Sequence, residues 1–322
     1  MEEKEEEKEI KIKGIVTRAQ ASIYFVKTQE GRVLECGLRK KLKREFMTDD
    51  NKYLSTDPVA VGDEVEITIA EGEKGAIDDI MPRRTKISRM ATGPVPIEHV
   101  IVANADQMII MLSAKLPPFK SRLLDRLLIL AEAGDLEPII IINKMDLLND
   151  KEKSRLLEQT KVYSDIGYKI LYISALNKEG IDEIVDIMKD KMSAIIGHSG
   201  TGKTTLINVI QPGLVLKTTE IGSKSKRGKH TTTNVQIFDL DFGGFIVDTP
   251  GIREVGLWDI WQSELDQYFR EMQPYVSKCR FYNCSHLVEP GCLVRDAVEK
   301  GIIHKSRYES YVKLRTAKDD ED

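Results

Sequence analysis

The sequence predicts a multidomain fold with a small N-terminal β-barrel, a central α/β domain containing a parallel sheet, and a mostly helical C-terminal domain. Three changes of pattern along the chain support this prediction. Short segments rich in β-branched residues fill residues 11–80, apolar strands alternate with helical patterns from about residue 100, and helical patterns frame a cysteine-rich stretch beyond residue 258. The length of 322 residues is sufficient for two or three domains.

The predicted domain boundaries follow these changes of pattern. Residues 11–83 form the barrel, residues 84–258 the central domain and residues 259–318 the helical domain. Acidic stretches at the two ends, residues 1–10 and residues 319–322, lie outside these domains, and the first is expected to be disordered.

Composition excludes two classes of protein. With 41% hydrophobic and 31% charged residues, the chain has enough apolar material for packed cores and is not wholly disordered. No apolar run approaches the roughly 18 residues that a transmembrane helix needs, so we expect no membrane partner. The acidic N-terminus is the reverse of a signal peptide, and we expect a monomeric protein in a bacterial cytoplasm, with an organelle matrix as the alternative.

The predicted barrel has about five strands and is of the OB type. Four strands are recognisable at Ile12–Ala19, Ser22–Thr28, Arg32–Cys36 and Glu64–Ala70. The net charge is −4, but basic residues collect in Arg39–Arg44, which is expected to project from the barrel as a loop. Small barrels of this type often bind nucleic acid, so this loop could grip phosphates; an ordinary solvated loop is the alternative.

The central domain shows repeated βαβ alternation, which favours a parallel sheet with helices on both faces. The first strands and helices are predicted at Gln107–Leu112, Ser121–Ala133, Pro138–Ile142, Lys151–Ile166, Lys169–Ile173 and Ile181–Lys189. Further strands are predicted at Ser193–Ile196, Asn234–Leu240 and Gly244–Val247.

A phosphate-binding loop follows the strand Ser193–Ile196. Residues Gly197–Thr204, which read Gly-His-Ser-Gly-Thr-Gly-Lys-Thr, fill the pattern G-x-x-x-x-G-K-S/T completely. The glycines let backbone N–H groups point inward at a helix N-terminus, where Lys203 reaches the β- and γ-phosphates and the Thr204 hydroxyl binds Mg²⁺. The residues expected to line the site are Gly197, His198, Ser199, Gly200, Thr201, Gly202, Lys203, Thr204 and Thr205, with the His198 side chain as a spectator.

Two further segments complete a site for a nucleoside triphosphate. A predicted strand leads into Asp248-Thr249-Pro250-Gly251, where Asp248 is placed to hold Mg²⁺ and the Gly251 N–H to contact the γ-phosphate. A basic loop, Arg227–Thr233, lies between this segment and the phosphate loop. One of its threonines could supply a second Mg²⁺ ligand; Thr232 is weakly favoured, and the spacing leaves its two neighbours open.

The base is predicted to be guanine. One predicted strand ends in Asn143-Lys144-Met145-Asp146, and the Asp146 carboxylate can accept hydrogen bonds from guanine N1–H and the N2 amine, which adenine lacks in that place. Asn143 is expected to approach the other edge of the base, and the Lys144 stem to cover its face. A second strand end, Ser174-Ala175, matches a segment that offers a backbone N–H to guanine O6. Together these motifs predict a site for GTP and GDP with Mg²⁺.

The motifs stand in a permuted order. In most guanine-nucleotide switches the phosphate loop comes first, whereas here Asn143–Asp146 precedes Gly197–Thr204, which precedes Asp248–Gly251. The same site forms if the usual chain ends are joined and the chain is opened elsewhere. Both predicted switch segments then point toward the C-terminal part of the chain.

A metal site is predicted in the C-terminal domain. Cys279, Cys284, His286 and Cys292 offer three thiolates and one imidazole within fourteen residues. This Cys₃His set is closed and typical of one structural Zn²⁺, which would hold together a segment with few large apolar residues. Incidental free thiols and an iron–sulfur site are the alternatives, whereas the distant Cys36 is expected to be an ordinary core residue.

The barrel, the permuted GTP-binding motifs and the Cys₃His set together resemble the RsgA (YjeQ/YloQ) family of ribosome-assembly GTPases. The resemblance extends from about Lys11 to Tyr311 and includes Arg227–Thr233, which reads Arg-Gly-Lys-His-Thr-Thr-Thr. It implies GTP hydrolysis that the small ribosomal subunit stimulates, late in the maturation of that subunit. It also implies contacts of rRNA with the barrel and with the C-terminal domain.

The residues expected to take part in catalysis are Lys203, Thr232 and His230. Ras-like enzymes orient the attacking water with a Gln just after the Asp-x-x-Gly segment, and Ile252 occupies that position here. His230 is the best substitute within the motifs, and the resemblance implies the same residue; a solvated loop histidine is the alternative. Two other functions stay open: a GTPase with a non-ribosomal partner, and an RNA-binding module with a weak nucleotide site.

Overall fold

The computed structural model describes residues 11–20, 22–45, 58–70, 72–90, 98–214, 235–248 and 262–317. The chain divides into two compact units, each made of separate stretches. Residues 1–106, 187–195 and 213–252 form the first unit, and residues 107–186, 196–212 and 253–322 form the second. The boundaries of the three domains expected from the sequence, 11–83, 84–258 and 259–318, stay predictions.

The strands, in chain order, are β1 (Lys11–Gln20), β2 (Ile23–Thr28), β3 (Val33–Leu38), β4 (Glu64–Ile69), β5 (Lys74–Ile80), β6 (Lys86–Met90), β7 (Glu98–Ala103), β8 (Gln107–Ser113), β9 (Glu137–Asn143), β10 (Lys169–Tyr172), β11 (Met192–Ile196), β12 (Gln236–Asp239) and β13 (Phe245–Asp248). The α-helices are α1 (Lys40–Glu45), α2 (Ser121–Ala133), α3 (Asp150–Ile166), α4 (Ile181–Met188), α5 (Lys203–Ile210), α6 (Gln273–Val276), α7 (Leu293–Glu299) and α8 (Lys305–Thr316). Two 3₁₀ helices span Met145–Leu147 and Gln262–Tyr268.

The predicted barrel is confirmed within the first unit. Antiparallel pairs join β1 to β2, β2 to β3, β1 to β4 and β4 to β5, and a parallel pair joins β3 to β5. These pairings close a five-stranded, OB-like barrel. Its core includes Val16, Val26, Leu34, Ile67 and Ile77, all with 0% exposure.

The basic segment of the barrel differs from the prediction. Residues Lys40–Glu45 form the short helix α1 rather than a projecting loop. Lysine and arginine are good helix formers, and this propensity explains the difference. The Arg39 guanidinium forms an ion pair with Asp78 and donates to the Thr68 hydroxyl at 3.0 Å, so it lies against the barrel wall.

The first unit contains a second set of strands, of which β13 ends at Asp248. β13 runs parallel to β11 and antiparallel to β12. β12 in turn pairs antiparallel with β1, where Gln236 lies opposite Arg18. The antiparallel pair of β6 and β7, which is not among the predicted strands, also belongs to this unit.

The second unit contains the parallel strands β8, β9 and β10. Every residue of β8 is buried, as expected for a parallel sheet covered by helices. The helix α3 begins in a capping box, because the Asn149 side chain accepts from the Glu152 N–H at 2.9 Å and Glu152 Oε2 accepts from the Asn149 N–H at 3.1 Å. The central α/β fold is therefore confirmed.

The C-terminal part of the second unit is mostly helical, as predicted. Its apolar core is larger than the cysteine-rich stretch suggests, because Phe269, Met272, Val294 and Tyr311 come from before and after that stretch. The rings of Phe269 and Tyr311 meet edge to face with centroids 5.5 Å apart. Across the described part of the chain, no helix combines the length and the apolar character that crossing a bilayer requires.

Candidate functional site

The phosphate loop is shaped by glycines. Gly200 and Gly202 have φ angles of 81° and 97°, a region that favours glycine. A Cβ atom on Gly197 would lie 2.1 Å from the Met111 carbonyl oxygen, and one on Gly202 would lie 2.3 Å from Asn143 Nδ2. The loop therefore packs directly against β8 and against the predicted guanine motif.

The polar side chains of the loop bond to its own backbone. Lys203, the first residue of α5, directs its Nζ back to the carbonyl oxygens of Gly197 and His198, the latter at 2.8 Å. The Thr201 hydroxyl donates to the same His198 oxygen at 3.0 Å. The ammonium group is thus held over the loop by oxygens that a phosphate could replace as its partner. The predicted contact residues with exposed side chains are His198, Ser199, Thr204 and Thr205.

Asn143 joins the phosphate loop to the two guanine segments. This residue is 2% exposed. Its Nδ2 donates to the Thr201 carbonyl oxygen at 2.9 Å, and its Oδ1 accepts from the Ala175 N–H at 2.9 Å. Thus one amide group brings together three segments that the sequence identified separately. The Ala175 N–H, expected to serve guanine O6, pairs here with Asn143, because buried N–H groups are satisfied within the protein.

Asp146 is exposed and is oriented by a neighbouring hydroxyl. The Ser174 Oγ donates to Asp146 Oδ1 at 2.6 Å and accepts from the Asn177 N–H at 3.1 Å. Lys144 has a φ angle of 66°, and its Nζ donates to the Leu116 carbonyl oxygen. A carboxylate oriented in this way can accept the paired N–H donors of a base.

The aspartate of the third phosphate motif ends β13. In the parallel pair of β13 with β11, Val247 lies opposite Ala194, three residues before the phosphate loop begins at Gly197. Asp248 therefore ends its strand at the carboxyl edge of β11. Three further predicted residues lie outside the described part of the chain: Gly251, His230 and Thr232.

The four predicted metal ligands converge in residues 279–292, which we call the metal knot. One ligand atom from each of Cys279, Cys284, His286 and Cys292 lies within 4.8 Å of the others. His286 Nδ1 is 3.6 Å from Cys279 Sγ and 3.3 Å from Cys292 Sγ. In a tetrahedral zinc site the ligand atoms are about 3.5–3.8 Å apart, so these residues fit one such ion. Burial raises the pKa of Cys284 to about 12, and a bound dication favours the thiolate instead.

Glu289 organises the knot, although the sequence pattern did not single it out. Its carboxylate accepts from the N–H groups of Ser285 at 2.8 Å and of Leu287 and Val288 at 3.2 Å each. Although burial opposes ionisation, hydrogen bonds from Ser285 and the nearby backbone lower the pKa of Glu289 to about 2. The only signal in the sequence is an acidic residue placed between the last two ligands.

Comparison with known proteins identifies the family. The RsgA GTPase family matches residues 80–258, and the RsgA N-terminal domain matches residues 13–77. The small ribosomal subunit biogenesis GTPase RsgA of Flavobacterium psychrophilum is 38% identical over 304 residues, which cover 94% of this chain and 91% of that protein. The protein of the same name from Phocaeicola vulgatus is 39% identical over 303 residues, which cover 94% of this chain and 96% of that protein.

Two solved structures are similar over nearly the whole chain. YjeQ from Thermotoga maritima has a TM-score of 0.76 and 35% identity and covers 95% of this chain and 98% of its own. YloQ, described as a circularly permuted GTPase, has a TM-score of 0.71 and 29% identity and covers 97% of this chain and 96% of its own. The permuted arrangement and the three-part fold are therefore confirmed. The chain belongs to the RsgA family of GTPases.

Proposed function

We propose that this GTPase acts on the small ribosomal subunit late in the maturation of the subunit, and that the subunit stimulates GTP hydrolysis. The observation that carries the nucleotide assignment is the convergence of the phosphate loop and both guanine segments on Asn143. The partner is supported by the relatives, which are named small ribosomal subunit biogenesis GTPases.

In the proposed guanine site, the Asp146 carboxylate accepts from guanine N1–H and the N2 amine. The Ser174 hydroxyl holds Asp146 in place. Asn143 approaches the other edge of the base, the Lys144 stem covers its face, and the segment Ser174-Ala175 offers a backbone N–H to guanine O6. This arrangement rejects adenine because adenine offers no matching pair of donors.

In the proposed phosphate site, Lys203 leaves the carbonyl oxygens of its own loop to contact the β- and γ-phosphates. The backbone N–H groups of residues 197–205 surround the phosphates at the start of α5. Thr204 and Asp248 would hold Mg²⁺, which would neutralise charge that develops on the phosphates during hydrolysis. The Gly251 N–H contacts the γ-phosphate.

Catalysis is proposed to depend on the basic loop Arg227–Thr233. Thr232 contributes a second ligand to Mg²⁺, and His230 orients the attacking water when the ribosomal subunit orders the loop. Slow turnover by the isolated protein and strong stimulation by the subunit follow from this arrangement.

The metal knot is proposed to hold one structural Zn²⁺ through Cys279, Cys284, His286 and Cys292. The barrel and the C-terminal domain are proposed to contact rRNA. The protein is proposed to be monomeric. It is also proposed to act in the cytoplasm, since the assembly of small subunits takes place there in bacteria.

The test of function is GTP hydrolysis by the purified chain alone, with small ribosomal subunits, and with large subunits. We expect small subunits alone to raise the rate by more than about tenfold. His230→Ala should abolish most of the stimulation and leave the affinity for GDP unchanged. Equal rates in all three reactions would overturn the ribosomal partner, and a fully stimulated His230→Ala variant would overturn the role of His230.

The test of base selection is Asp146→Asn. An Asn amide can donate to the carbonyl oxygen that xanthine carries in place of the guanine N2 amine, so preference should shift from GTP to xanthosine triphosphate by more than about tenfold. Asp150→Asn, which changes an exposed carboxylate at the start of α3, is the matched control and should keep the preference for GTP. Unchanged preference in Asp146→Asn would contradict the proposed guanine contact.

A further inference from the structure

The histidine of the metal knot is held by a residue outside the knot. His286 is 0% exposed, and its two ring nitrogens face different partners. Nδ1 faces the thiols of Cys279 and Cys292, whereas Nε2 lies 3.1 Å from Oδ2 of Asp266. Asp266 is 7% exposed and belongs to the 3₁₀ helix Gln262–Tyr268.

The chemistry of imidazole connects these contacts. A neutral imidazole has one N–H group and one nitrogen lone pair. If Nδ1 is to bind a metal, the proton must lie on Nε2, and a carboxylate that accepts this proton fixes the tautomer and the orientation of the ring. We propose that Asp266 is the positioning residue of the zinc site, and that it selects the tautomer of His286 in which Nδ1 is the ligand atom. This inference rests on the zinc binding proposed above.

The surroundings of Asp266 support this role. Its Oδ1 is buried and has no hydrogen-bond partner among the described residues. The bond from Oδ2 to His286 Nε2 is therefore the side-chain hydrogen bond that fixes this carboxylate in the described part of the chain. A buried carboxylate with a single hydrogen bond is unfavourable unless a positive charge lies near it. A dication held by His286 Nδ1 and the three thiolates of the knot would supply that charge.

The backbone on either side of the ring is held independently. The Tyr308 hydroxyl donates to the His286 carbonyl oxygen at 2.7 Å, and the Tyr311 hydroxyl donates to that of Ser285 at 2.8 Å. These bonds from α8 fix the backbone at His286, whereas Asp266 accepts the proton on Nε2 and so fixes the orientation of the ring. Loss of Asp266 should therefore weaken metal binding without unfolding the domain.

The test compares three full-length variants: Asp266→Ala, Asp266→Asn and, as a matched control on the same helix, Glu264→Gln. The affinity for Zn²⁺ is measured by competition with a chromophoric chelator. Asp266→Ala should lower this affinity by roughly 10–100-fold. Asp266→Asn should recover part of the loss because its amide oxygen still accepts the Nε2 proton, and Glu264→Gln should match the parent.

A second measurement follows the proton itself. In the zinc-loaded parent, ¹⁵N-resolved NMR should show a proton on His286 Nε2 that exchanges slowly with water. The exchange should accelerate in Asp266→Ala and stay slow in Glu264→Gln. Protection of the α8 amides from hydrogen exchange in the zinc-loaded protein serves as the check that each variant is folded. If Asp266→Ala does not fold, Asp266→Asn carries both measurements.

The outcomes separate this inference from the proposed function. Zinc affinity and proton exchange equal to the parent in the Asp266 variants would overturn the positioning role alone. A proton found on Nδ1 in the zinc-loaded parent would also overturn it. A parent chain without affinity for Zn²⁺ would overturn the metal site together with this inference, whereas a failure of ribosomal stimulation would affect neither.

Discussion

In the nucleotide site, side chains that would contact the nucleotide are exposed, and the residue that holds their segments together is buried. In the metal knot, by contrast, the metal-binding residues are themselves largely buried. Asp146 and Thr204 face solvent, and Asn143 beneath them is 2% exposed. Cys292 and His286 are 2% and 0% exposed. Both regions contain residues at positive φ, with 66° at Lys144 and 61° at His286.

The difference follows from what each region is built on. The nucleotide residues stand at the ends of β9 and β11, and apart from Glu137 the residues of these strands are buried by the protein itself. Between α6 and α7, by contrast, residues 277–292 form no helix or strand. We therefore expect the sheet to preserve the shape of the nucleotide site, and the bound metal to preserve the shape of the knot.

Removal of zinc should give the largest effect and should divide the two regions. After chelation, or in Cys292→Ser, we expect the amides of α7 and α8 to lose protection from hydrogen exchange, because structural zinc sites contribute on the order of 10 kcal/mol in small metal-dependent domains. The amides of β8 and β9, and the affinity for GDP, should change little.

Cys36→Ser is the control for this experiment. Cys36 is buried in the barrel at 1% exposure, so its replacement should leave the zinc content and the protection of α7 unchanged. If chelation removed protection from β9 as strongly as from α8, the two regions would be one cooperative unit and the comparison would fail.

A methyl group on Gly202 should give the next largest effect, in the opposite region. The added Cβ would lie 2.3 Å from Asn143 Nδ2 at a φ angle of 97°, so Gly202→Ala should separate the phosphate loop from the guanine segments. We expect the affinity for GDP to fall by more than about tenfold, from the loss of buried hydrogen bonds at about 1–3 kcal/mol each. Zinc content should be unchanged.

Gly213→Ala isolates the cost of the backbone angle alone. Gly213 has a φ angle of 87°, and a Cβ atom there would meet nothing within 4 Å. Its replacement should lower stability by about 1 kcal/mol with little effect on GDP affinity. Equal losses of affinity in both variants would show that strain, rather than contact with Asn143, explains the effect of Gly202→Ala.

The sequence predicted the segments of each region more completely than the contacts that join those segments to one another. The phosphate loop and the four metal ligands were recognisable because local spacing alone defines them. The two hydrogen bonds of the Asn143 side chain were not recognisable, because Thr201 and Ala175 are distant along the chain and become neighbours only when the strands align. Asp266 was missed for the same reason, since it lies outside the spacing of the ligand set.

The secondary structure shows a similar division. Strands rich in β-branched residues were predicted within a few residues, because the alternation of the barrel strands and the continuous burial of the parallel strands both leave a strong pattern. The helix Lys40–Glu45 differs from the predicted loop because lysine and arginine, whose charge favours exposure, are also good helix formers. The pair of β6 and β7 was missed, although β7 carries the buried β-branched run Val100-Ile101-Val102.

The smallest expected effect concerns the reactivity of the cysteines. Burial raises the pKa of Cys36 to about 11, which reduces the thiolate fraction near pH 8 by roughly a few hundredfold relative to an ordinary thiol. In the zinc-loaded protein we expect all four cysteines to react slowly with a thiol reagent. After chelation, the three cysteines of the knot should react quickly and Cys36 should stay slow.

This labelling experiment tests the comparison directly, because both sets of thiols are protected in the intact protein but for different reasons. The barrel protects Cys36 by packing, which chelation leaves in place. If the knot were also held by packing, through the core around Phe269 and Tyr311, Cys284 and Cys292 would stay buried and Cys279 half-buried, and all three would stay slow after the metal is removed. Fast reaction of these three thiols alone would show that the metal shapes the knot, and uniformly slow reaction would show that the protein does.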